Sequence, residues 1–260
     1  SALIVAPKGV YKTWEQQEFP KHLPNYIMEH TRLVMWQPNL TQKQMLKMQT
    51  IMESTNDLKI FIMNTEAFST EKGIKYAEKF LLGNRTMFVI DESTTIKNPQ
   101  AKRTRNIIKL SNLAKYKRIL TGTPVTRSPL DLYSQFYFLD PDILNFSSYY
   151  SFRSRYAMMV NRTMGSHSFN LIIGYRNLRE LSKKLKPHSY RILKEKCLDL
   201  PDKIYMKRII TLTREQQQIY DDLKEQALAE FNNSETVTVT NALATLSKIH
   251  QVVCLSLIHI

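Results

Sequence analysis

The sequence predicts an α/β fold in which a parallel β-sheet carries helices on both faces, with a helical insertion in the second half of the chain. Two patterns support this prediction. Short apolar runs alternate with longer segments of helical spacing, which is typical of a parallel sheet buried on both faces. After Pro129 the composition shifts to Tyr, Phe, Arg and Lys, and the helical segments are broken by Gly and Pro. Hydrophobic residues make up 43% of the 260 residues, which is enough for a packed core.

In the sheet region, the strands are predicted from short apolar runs that end abruptly in polar, Gly or Pro residues. The predicted strands cover residues 2–6, 60–63, 87–90 and 118–120. Apolar residues recur at helical spacing over residues 41–53 and 69–82, which predicts a helix in each segment. Because ligands bind parallel sheets beyond the carboxyl ends of the strands, the residues just after each strand are the candidates for chemistry.

A second region is predicted to form a helical protrusion and not to extend the sheet. It covers residues 129–200, and its helical segments are interrupted near Pro141, Gly165 and Pro187. The aromatic residues in this region are expected to form the core of the protrusion, because clustered aromatic side chains bury large apolar areas.

The last region combines one predicted strand with two helices. Residues 204–212 alternate like a strand, and Thr213 with Gln216 forms a candidate capping box for a helix that ends near residue 231. A polar stretch then leads into a final helix from about residue 241. The predicted domains are residues 1–128, 129–200 and 201–260.

Composition excludes several classes of protein. The chain has 37 Lys and Arg against 23 Asp and Glu, so its formal net charge is +14, which favours a polyanionic partner. Two cysteines are too few for a disulfide framework or a four-ligand zinc site, and the six histidines show no metal-ligand spacing. No apolar run has the length of a membrane span, and the first residues lack a basic signal region. We therefore expect a cytoplasmic protein with no membrane partner.

The positive charge is concentrated in two clusters. Residues 93–130 contain no acidic residue. The basic residues of this first cluster are Lys97, Lys102, Arg103, Arg105, Lys109, Lys115, Lys117, Arg118 and Arg127. Those of the second are Arg176, Arg179, Lys183, Lys184, Lys186, Arg191, Lys194 and Lys196. Any one of these side chains could belong to an ordinary solvated face, but the collective excess favours phosphate binding and hence a nucleic acid.

The strongest local signal is the pair Asp91-Glu92, which directly follows an apolar strand. In a nucleotide-hydrolysing site, an aspartate at this place holds the magnesium of the bound nucleotide and the adjacent glutamate polarises the attacking water. The alternative is an acidic pair at the start of the next helix, where negative charge is commonly found.

A second signal follows the next strand, where the chain continues as Thr121-Gly122-Thr123-Pro124. By itself this segment could be a plain Gly-Pro turn. However, a strand ending in Asp-Glu, a basic helix and a strand ending in Thr-Gly-Thr-Pro is the order found in the motor lobe of superfamily-two helicases, which this chain resembles.

The flanking residues make the resemblance specific to the Swi/Snf-like helicases and translocases. Residues 91–104 (DESTTIKNPQAKRT) resemble that family's version of the DEAH box. Residues 120–141 (LTGTPVTRSPLDLYSQFYFLDP) resemble its motif III. Further similarity lies in residues 3–8, 62–68, 200–203, 212–213, 216–220 and 243–254. Together these segments cover nearly the whole chain in the expected order.

The resemblance implies a RecA-like first motor lobe that uses ATP and Mg²⁺ and moves along double-stranded DNA, with single-stranded DNA as the alternative. Asp91 would hold the magnesium through water and Glu92 would activate the attacking water. The loop residues Thr121, Gly122 and Thr123 would contact the nucleotide site and couple it to DNA. The residues expected along the DNA are Pro7, Lys8, Thr65, Lys97, Lys102 and Arg103.

The chain also departs from the family pattern. Thr94 stands where the DEAH histidine is expected, and none of the glycines is followed by Lys, as a phosphate-binding P-loop requires. We therefore expect a fragment that is inactive alone, with the P-loop and a second motor lobe supplied by a full-length ATP hydrolase in a bacterial or phage-infected cell. Two alternatives stay open: a non-catalytic DNA-binding scaffold, and a strand-separating helicase of a restriction or repair system.

Overall fold

A computed structural model describes residues 1–39, 41–53, 57–164, 167–193, 204–207, 211–233 and 239–254. Its central feature is a five-stranded parallel sheet with the order β2-β3-β1-β4-β5. The strands of this sheet are β1 (Ala2–Val5), β2 (Thr31–Met35), β3 (Leu58–Met63), β4 (Met87–Asp91) and β5 (Tyr116–Leu120).

Helices connect the strands and continue beyond them. They are α1 (Tyr11–Thr13), α2 (Phe19–His22), α3 (Asn25–Glu29), α4 (Gln42–Glu53), α5 (Glu71–Leu82), α6 (Lys102–Ser111), α7 (Leu132–Leu139), α8 (Pro141–Leu144), α9 (Tyr149–Tyr156), α10 (Leu178–Leu185), α11 (Arg214–Asn233) and α12 (Val239–Cys254). A π turn, Trp14–Glu18, joins α1 to α2. Short 3₁₀ turns cover Lys8–Val10, Thr65–Ser69, Ser93–Ile96, Pro129–Asp131 and Lys186–His188.

The sheet is covered on both faces, as the apolar runs predict. Successive side chains of a strand point to opposite faces, and β1 with Ala6, the residue after it, supplies both cores. Leu3 and Val5 pack in the core formed with α4, α5 and α6, whereas Ile4 and Ala6 pack in the core formed with α1, α2 and α3. All four of these side chains are buried, so an alternating polar pattern is absent from the sequence of β1.

The predicted strands and helices of this region are confirmed, but one strand was missed. The strand β2 pairs with β3 at the edge of the sheet, from Thr31↔Leu58 to Met35↔Ile62. Its apolar run, residues 33–36, is as long as the runs at 60–63 and 87–90 from which strands were predicted. The signal for β2 was therefore present in the sequence and was overlooked.

The protrusion is mostly helical but is not helical throughout, which corrects the prediction. Its helices α7 to α10 share a core that includes Tyr133, Phe152 and Tyr156. Between α9 and α10 the chain forms an antiparallel hairpin of β6 (Ala157–Met164) and β7 (His167–Tyr175). The alternation of apolar and polar residues over 168–171 was the available signal for a strand, and the prediction used Gly165 as a helix breaker instead.

The described chain divides into two compact units, Ser1–Arg191 and Ile192–Ile260. The first unit holds both the sheet and the protrusion, so the domain boundary at 128/129 stays a prediction. In the second unit the capping box is confirmed, because Thr213 and Gln216 exchange backbone-to-side-chain hydrogen bonds of 3.1 and 3.2 Å ahead of α11. The final helix is also confirmed as α12.

The predicted strand at residues 204–212 is not seen where the structure describes it. Residues 204–207 and 211–212 have no regular secondary structure, and residues 208–210 lie outside the described part of the chain. Ile204 and Met206 are almost fully exposed, so the alternation there does not mark a buried face. Among the described helices, none combines the length and hydropathy needed to cross a membrane.

Candidate functional site

The carboxyl ends of three neighbouring strands form the candidate site. Val5 of β1 pairs with Ile90 of β4, and Asp91 of β4 pairs with Leu120 of β5. Because all these strands are parallel, the segments that begin at Pro7, Glu92 and Thr121 leave the sheet at the same edge. The parallel sheet that the sequence predicts thus brings these three segments to one edge.

Asp91 is held in a fixed orientation by two hydrogen bonds. Its Oδ2 accepts a 3.0 Å bond from the indole Nε1 of Trp14, and its Oδ1 accepts a 3.0 Å bond from the backbone N–H of Glu92. Trp14 lies in the π turn after β1, where its ring packs against Phe19 with a centroid distance of 5.5 Å. The carboxylate is therefore positioned before any ligand binds.

Glu92 occupies a strained backbone position. Its φ of 50° and ψ of 59° lie in the left-handed region, which a residue other than glycine enters at a cost of about 1–3 kcal/mol. The strand ends here and the 3₁₀ turn Ser93–Ile96 begins directly afterwards. This sharp turn leaves the Glu92 side chain exposed at the edge, where a carboxylate can reach a bound water.

The loop that follows β5 is open to solvent. Thr121 is half-buried and its hydroxyl accepts a 3.2 Å bond from the backbone N–H of Thr123, while Gly122 and Thr123 are exposed. The loop thus presents hydroxyl and backbone N–H groups at the same edge as Glu92. Such groups are suited to contacts with phosphate oxygens.

A carboxylate anchors the next part of this loop. Asp131 Oδ2 accepts bonds from the backbone N–H groups of Thr126, Arg127 and Ser128 and from the hydroxyl of Thr126. Burial opposes ionisation of this carboxyl, but the hydrogen bonds outweigh it and hold the pKa of Asp131 below its usual value. Lys97 Nζ donates a 2.5 Å bond to the Thr126 hydroxyl, which ties the segment after β4 to the loop after β5.

Gln135 also joins the two segments, and sequence reasoning missed it. This side chain on α7 is fully buried; its Oε1 accepts a 2.6 Å bond from Ser93 Oγ, and its Nε2 donates to the carbonyl oxygen of Pro124 at 2.8 Å. The available signal was a glutamine inside the run of apolar and aromatic residues at 132–139, because a buried amide must be hydrogen-bonded.

The six predicted DNA-contacting residues differ in exposure. Lys8 and Lys102 are exposed, whereas Pro7, Lys97 and Arg103 are half-buried. Thr65 is 2% exposed and its hydroxyl lies 3.4 Å from that of Thr95, so its side chain does not face solvent as a phosphate contact would require. Exposure therefore favours Lys8 and Lys102 over Thr65.

A magnesium ion would find few protein ligands at this edge. In the described part of the chain, no group of three or more His, Cys, Asp or Glu side chains is arranged to hold a metal. Asp91 supplies a hard oxygen ligand, which is the kind that Mg²⁺ prefers, and nucleotide-bound Mg²⁺ typically uses one or two carboxylates with phosphate and water. The residues fit a nucleotide-associated magnesium and do not form a metal site built from protein alone.

Similarity to known proteins covers almost the whole chain. An uncharacterized ATP-dependent helicase of Mycoplasma genitalium is 27% identical over 256 residues, which are 96% of this chain and 21% of that protein. Human TATA-binding protein-associated factor 172 is 32% identical over 62% of this chain and 8% of its own length. Human helicase-like transcription factor is 24% identical over 98% of this chain and 24% of its own length. The chain thus spans about a quarter or less of these relatives.

Solved structures agree with the sequence relatives. The Sulfolobus solfataricus SWI2/SNF2 ATPase core in complex with dsDNA matches with a TM-score of 0.52 and 27% identity, over 97% of this chain and 47% of that chain. The ATPase core domain from the same organism matches with a TM-score of 0.51 and 28% identity. The model of the SNF2-related domain matches residues 1–256. With the RecA-like sheet and the Asp-Glu and Thr-Gly-Thr-Pro edge in place, the chain belongs to the SNF2-related domain family.

Proposed function

We propose that this chain provides the hydrolytic edge of an ATP-dependent DNA translocase. The observation that carries the proposal is the meeting of Asp91-Glu92 and the Thr121–Thr123 loop at one sheet edge, on neighbouring strands. A motor needs these two features close together, because the Asp91-Glu92 pair would act on the nucleotide and the Thr121–Thr123 loop would have to respond to the nucleotide state.

In this proposal each residue has a defined task. Bound Mg²⁺-ATP supplies the reactive phosphate and the charge that the site has to match. Asp91, oriented by the Trp14 indole, would hold the metal through water. Glu92 would orient and polarise the water, since its side chain is exposed at the carboxyl edge of the sheet. Thr121 and Thr123 would report the nucleotide state to the DNA-contacting surface.

Exposed basic residues near the same edge support DNA as the substrate. Lys8 follows β1, and Lys102 and Arg105 lie in the first turns of α6, the helix that follows β4. Lysine and arginine contacts to phosphates position a protein on DNA without reading its sequence. The Sulfolobus solfataricus ATPase core was solved in complex with dsDNA, which supports a duplex as the track.

The motor would also need segments that this chain does not include. Its relatives are several times longer, and the chain contains no Gly-Lys-Ser/Thr triplet for a phosphate-binding loop. We place the P-loop and a second motor lobe in the rest of the full-length protein.

A displacement assay on the full-length protein tests the proposal. With ATP, a translocase should release the third strand of a triplex from duplex DNA and should show ATP hydrolysis stimulated by DNA. Release of a strand from a forked duplex at a similar rate would instead support a strand-separating helicase. Binding to DNA without any ATP hydrolysis would contradict the proposal and favour a scaffold.

A further inference from the structure

We infer that Gln135 is a positioning residue that couples the turn carrying Glu92 to the Thr121–Pro124 loop, an inference that rests on the proposed function. The coupling acts through the Ser93–Gln135 bridge, by which we mean Ser93, Gln135 and the carbonyl oxygens of Pro124 and Asp131. No contact of Gln135 with a nucleotide is implied, because the side chain is fully buried.

The hydrogen bonds of the bridge leave the amide a single orientation. Gln135 Nε2 donates to the carbonyl oxygens of Pro124 and Asp131, both at 2.8 Å, and a carbonyl can only accept. The Oε1 atom must therefore face Ser93, whose hydroxyl donates to it at 2.6 Å. Rotating the amide would set its oxygen against two carbonyl oxygens, so the bridge can form in this one orientation of the amide only.

The bridge spans the two segments that the proposed motor has to coordinate. Ser93 directly follows Glu92 in the chain, and Pro124 closes the Thr-Gly-Thr-Pro loop. A shift of the loop after β5 would move the Pro124 carbonyl and hence the amide of Gln135. The amide would in turn move Ser93, and with it the backbone of Glu92.

The helix that carries Gln135 is anchored well enough to transmit such a shift. Phe138 on the same helix is fully buried in the core beneath the sheet, where its ring meets that of Phe88 on β4 at 5.1 Å. Tyr133, at the other end of α7, packs in the core of the protrusion. Gln135 thus lies on a rigid element between two cores, and small movements are not absorbed by a flexible support.

The left-handed backbone of Glu92 explains why the position of its carboxylate would depend on the Ser93–Gln135 bridge. A strained turn persists only where the surrounding structure holds it, and Ser93 is the first residue after the strained position. Without the bridge, the turn could relax and withdraw the Glu92 carboxylate from the water that it has to polarise. The nucleotide itself would still bind, because its affinity depends on other groups.

The test compares variants of the full-length protein in steady-state ATP hydrolysis with and without duplex DNA. We expect Ser93→Ala to lower the DNA-stimulated kcat about tenfold and to leave the KM for ATP within about twofold, as loss of positioning does. Ser111→Ala is the control, since it also removes a buried hydroxyl, but one that donates to the Ile108 carbonyl at the far end of α6, and its kcat should stay near that of the wild type.

A double variant separates coupling from stability. Ser93→Ala/Gln135→Met also removes the buried amide oxygen that Ser93→Ala leaves unpaired, and the carbonyl oxygens of exposed Pro124 and half-buried Asp131 can bond to solvent. The melting temperature should therefore recover in part relative to Ser93→Ala while the DNA-stimulated kcat stays low. Recovery of kcat together with the melting temperature would overturn the inference, as would an unchanged kcat in Ser93→Ala. A wild-type protein without DNA-stimulated hydrolysis would overturn the proposed function and this inference together.

Discussion

At the scale of single residues, the candidate site depends on groups that orient Asp91 and Glu92 before a ligand binds. The indole of Trp14 fixes one carboxylate oxygen of Asp91, although the two residues are 77 positions apart in the chain. The position of Glu92 is set by the backbone turn after β4, where its N–H donates to the Asp91 carboxylate. Preorganised groups of this kind raise the efficiency of a site because they need no rearrangement during the reaction.

Replacing Trp14 with phenylalanine tests whether the indole N–H orients the Asp91 carboxylate. The variant keeps an aromatic ring beside Phe19 but removes the N–H that donates to Asp91. A hydrogen bond to a charged group contributes about 1.5–3 kcal/mol when buried, and less at this half-buried position, so we expect Mg²⁺-ATP to bind about three- to tenfold more weakly. Isothermal titration of the full-length protein measures this change.

The matched control is Trp36→Phe. Trp36 packs against Tyr76 in the core on the opposite face of the sheet from Trp14, so its loss should affect stability and leave the affinity for Mg²⁺-ATP unchanged. Equal weakening by both substitutions would show that the indole N–H of Trp14 has no specific role.

At the scale of secondary-structure elements, the packing of helices behind the sheet positions the edge segments. The start of α5 lies so close to the turn Thr65–Ser69 that a Cβ atom on Gly73 would stand 2.2 Å from the carbonyl oxygen of Ala67. Thr70 caps α5 by accepting a 3.1 Å bond from the Gly73 N–H. Asn106 of α6 donates to the Phe68 carbonyl at 2.8 Å, so two helices hold this turn.

Gly73→Ala should therefore destabilise the chain. The added methyl group would overlap a backbone atom that cannot rotate away, and overpacking of this kind costs about 1–3 kcal/mol. Urea unfolding followed by circular dichroism measures the loss. Gly9→Ala is the control, because a Cβ at Gly9 meets no atom within 4 Å and should change stability by less than about 0.5 kcal/mol. A Gly73→Ala midpoint equal to that of Gly9→Ala would contradict the close packing.

The elements also show what a single sequence can and cannot predict. Long apolar runs predicted β1, β3 and β4 because both faces of these strands are buried. The edge strand β2 was overlooked although residues 33–36 are apolar, and the hairpin β6-β7 was missed because polar residues interrupt its apolar ones. Asp91 and Glu92 could be located from their position after a strand, whereas Trp14 and Gln135 act through contacts between distant segments, which periodicity does not report.

At the scale of the whole molecule, the excess of positive charge is the property that most constrains its partners. The formal net charge is +14, and residues 93–130 carry no negative side chain. Exposed members of this cluster include Lys102 and Arg105 in the first turns of α6, close to the carboxyl edge of the sheet. A charge excess of this size draws polyanions at long range and makes their binding depend on salt.

The 260-residue chain should bind duplex DNA without sequence preference, with an affinity that falls steeply as salt is raised. Each phosphate contact contributes about 0.9 to the slope of log K against log salt, so Lys102→Gln/Arg105→Gln should lower the slope by about two. Lys79→Gln is the control, because Lys79 lies in the last turn of α5, just ahead of the amino end of β4. Fluorescence anisotropy over a salt series gives the slopes, and equal slopes for all variants would exclude α6 from the contact surface.

If the Asp91-Glu92 turn is the hydrolytic centre of a DNA-stimulated motor, its glutamate must be needed for turnover. ATP hydrolysis by the full-length protein is compared with that of Glu92→Gln, with duplex DNA present and nucleotide binding measured in parallel. The amide keeps the shape of the side chain but cannot polarise water, so turnover should fall by about a hundredfold or more while nucleotide affinity stays within a few-fold. Hydrolysis at the wild-type rate in Glu92→Gln would contradict the account.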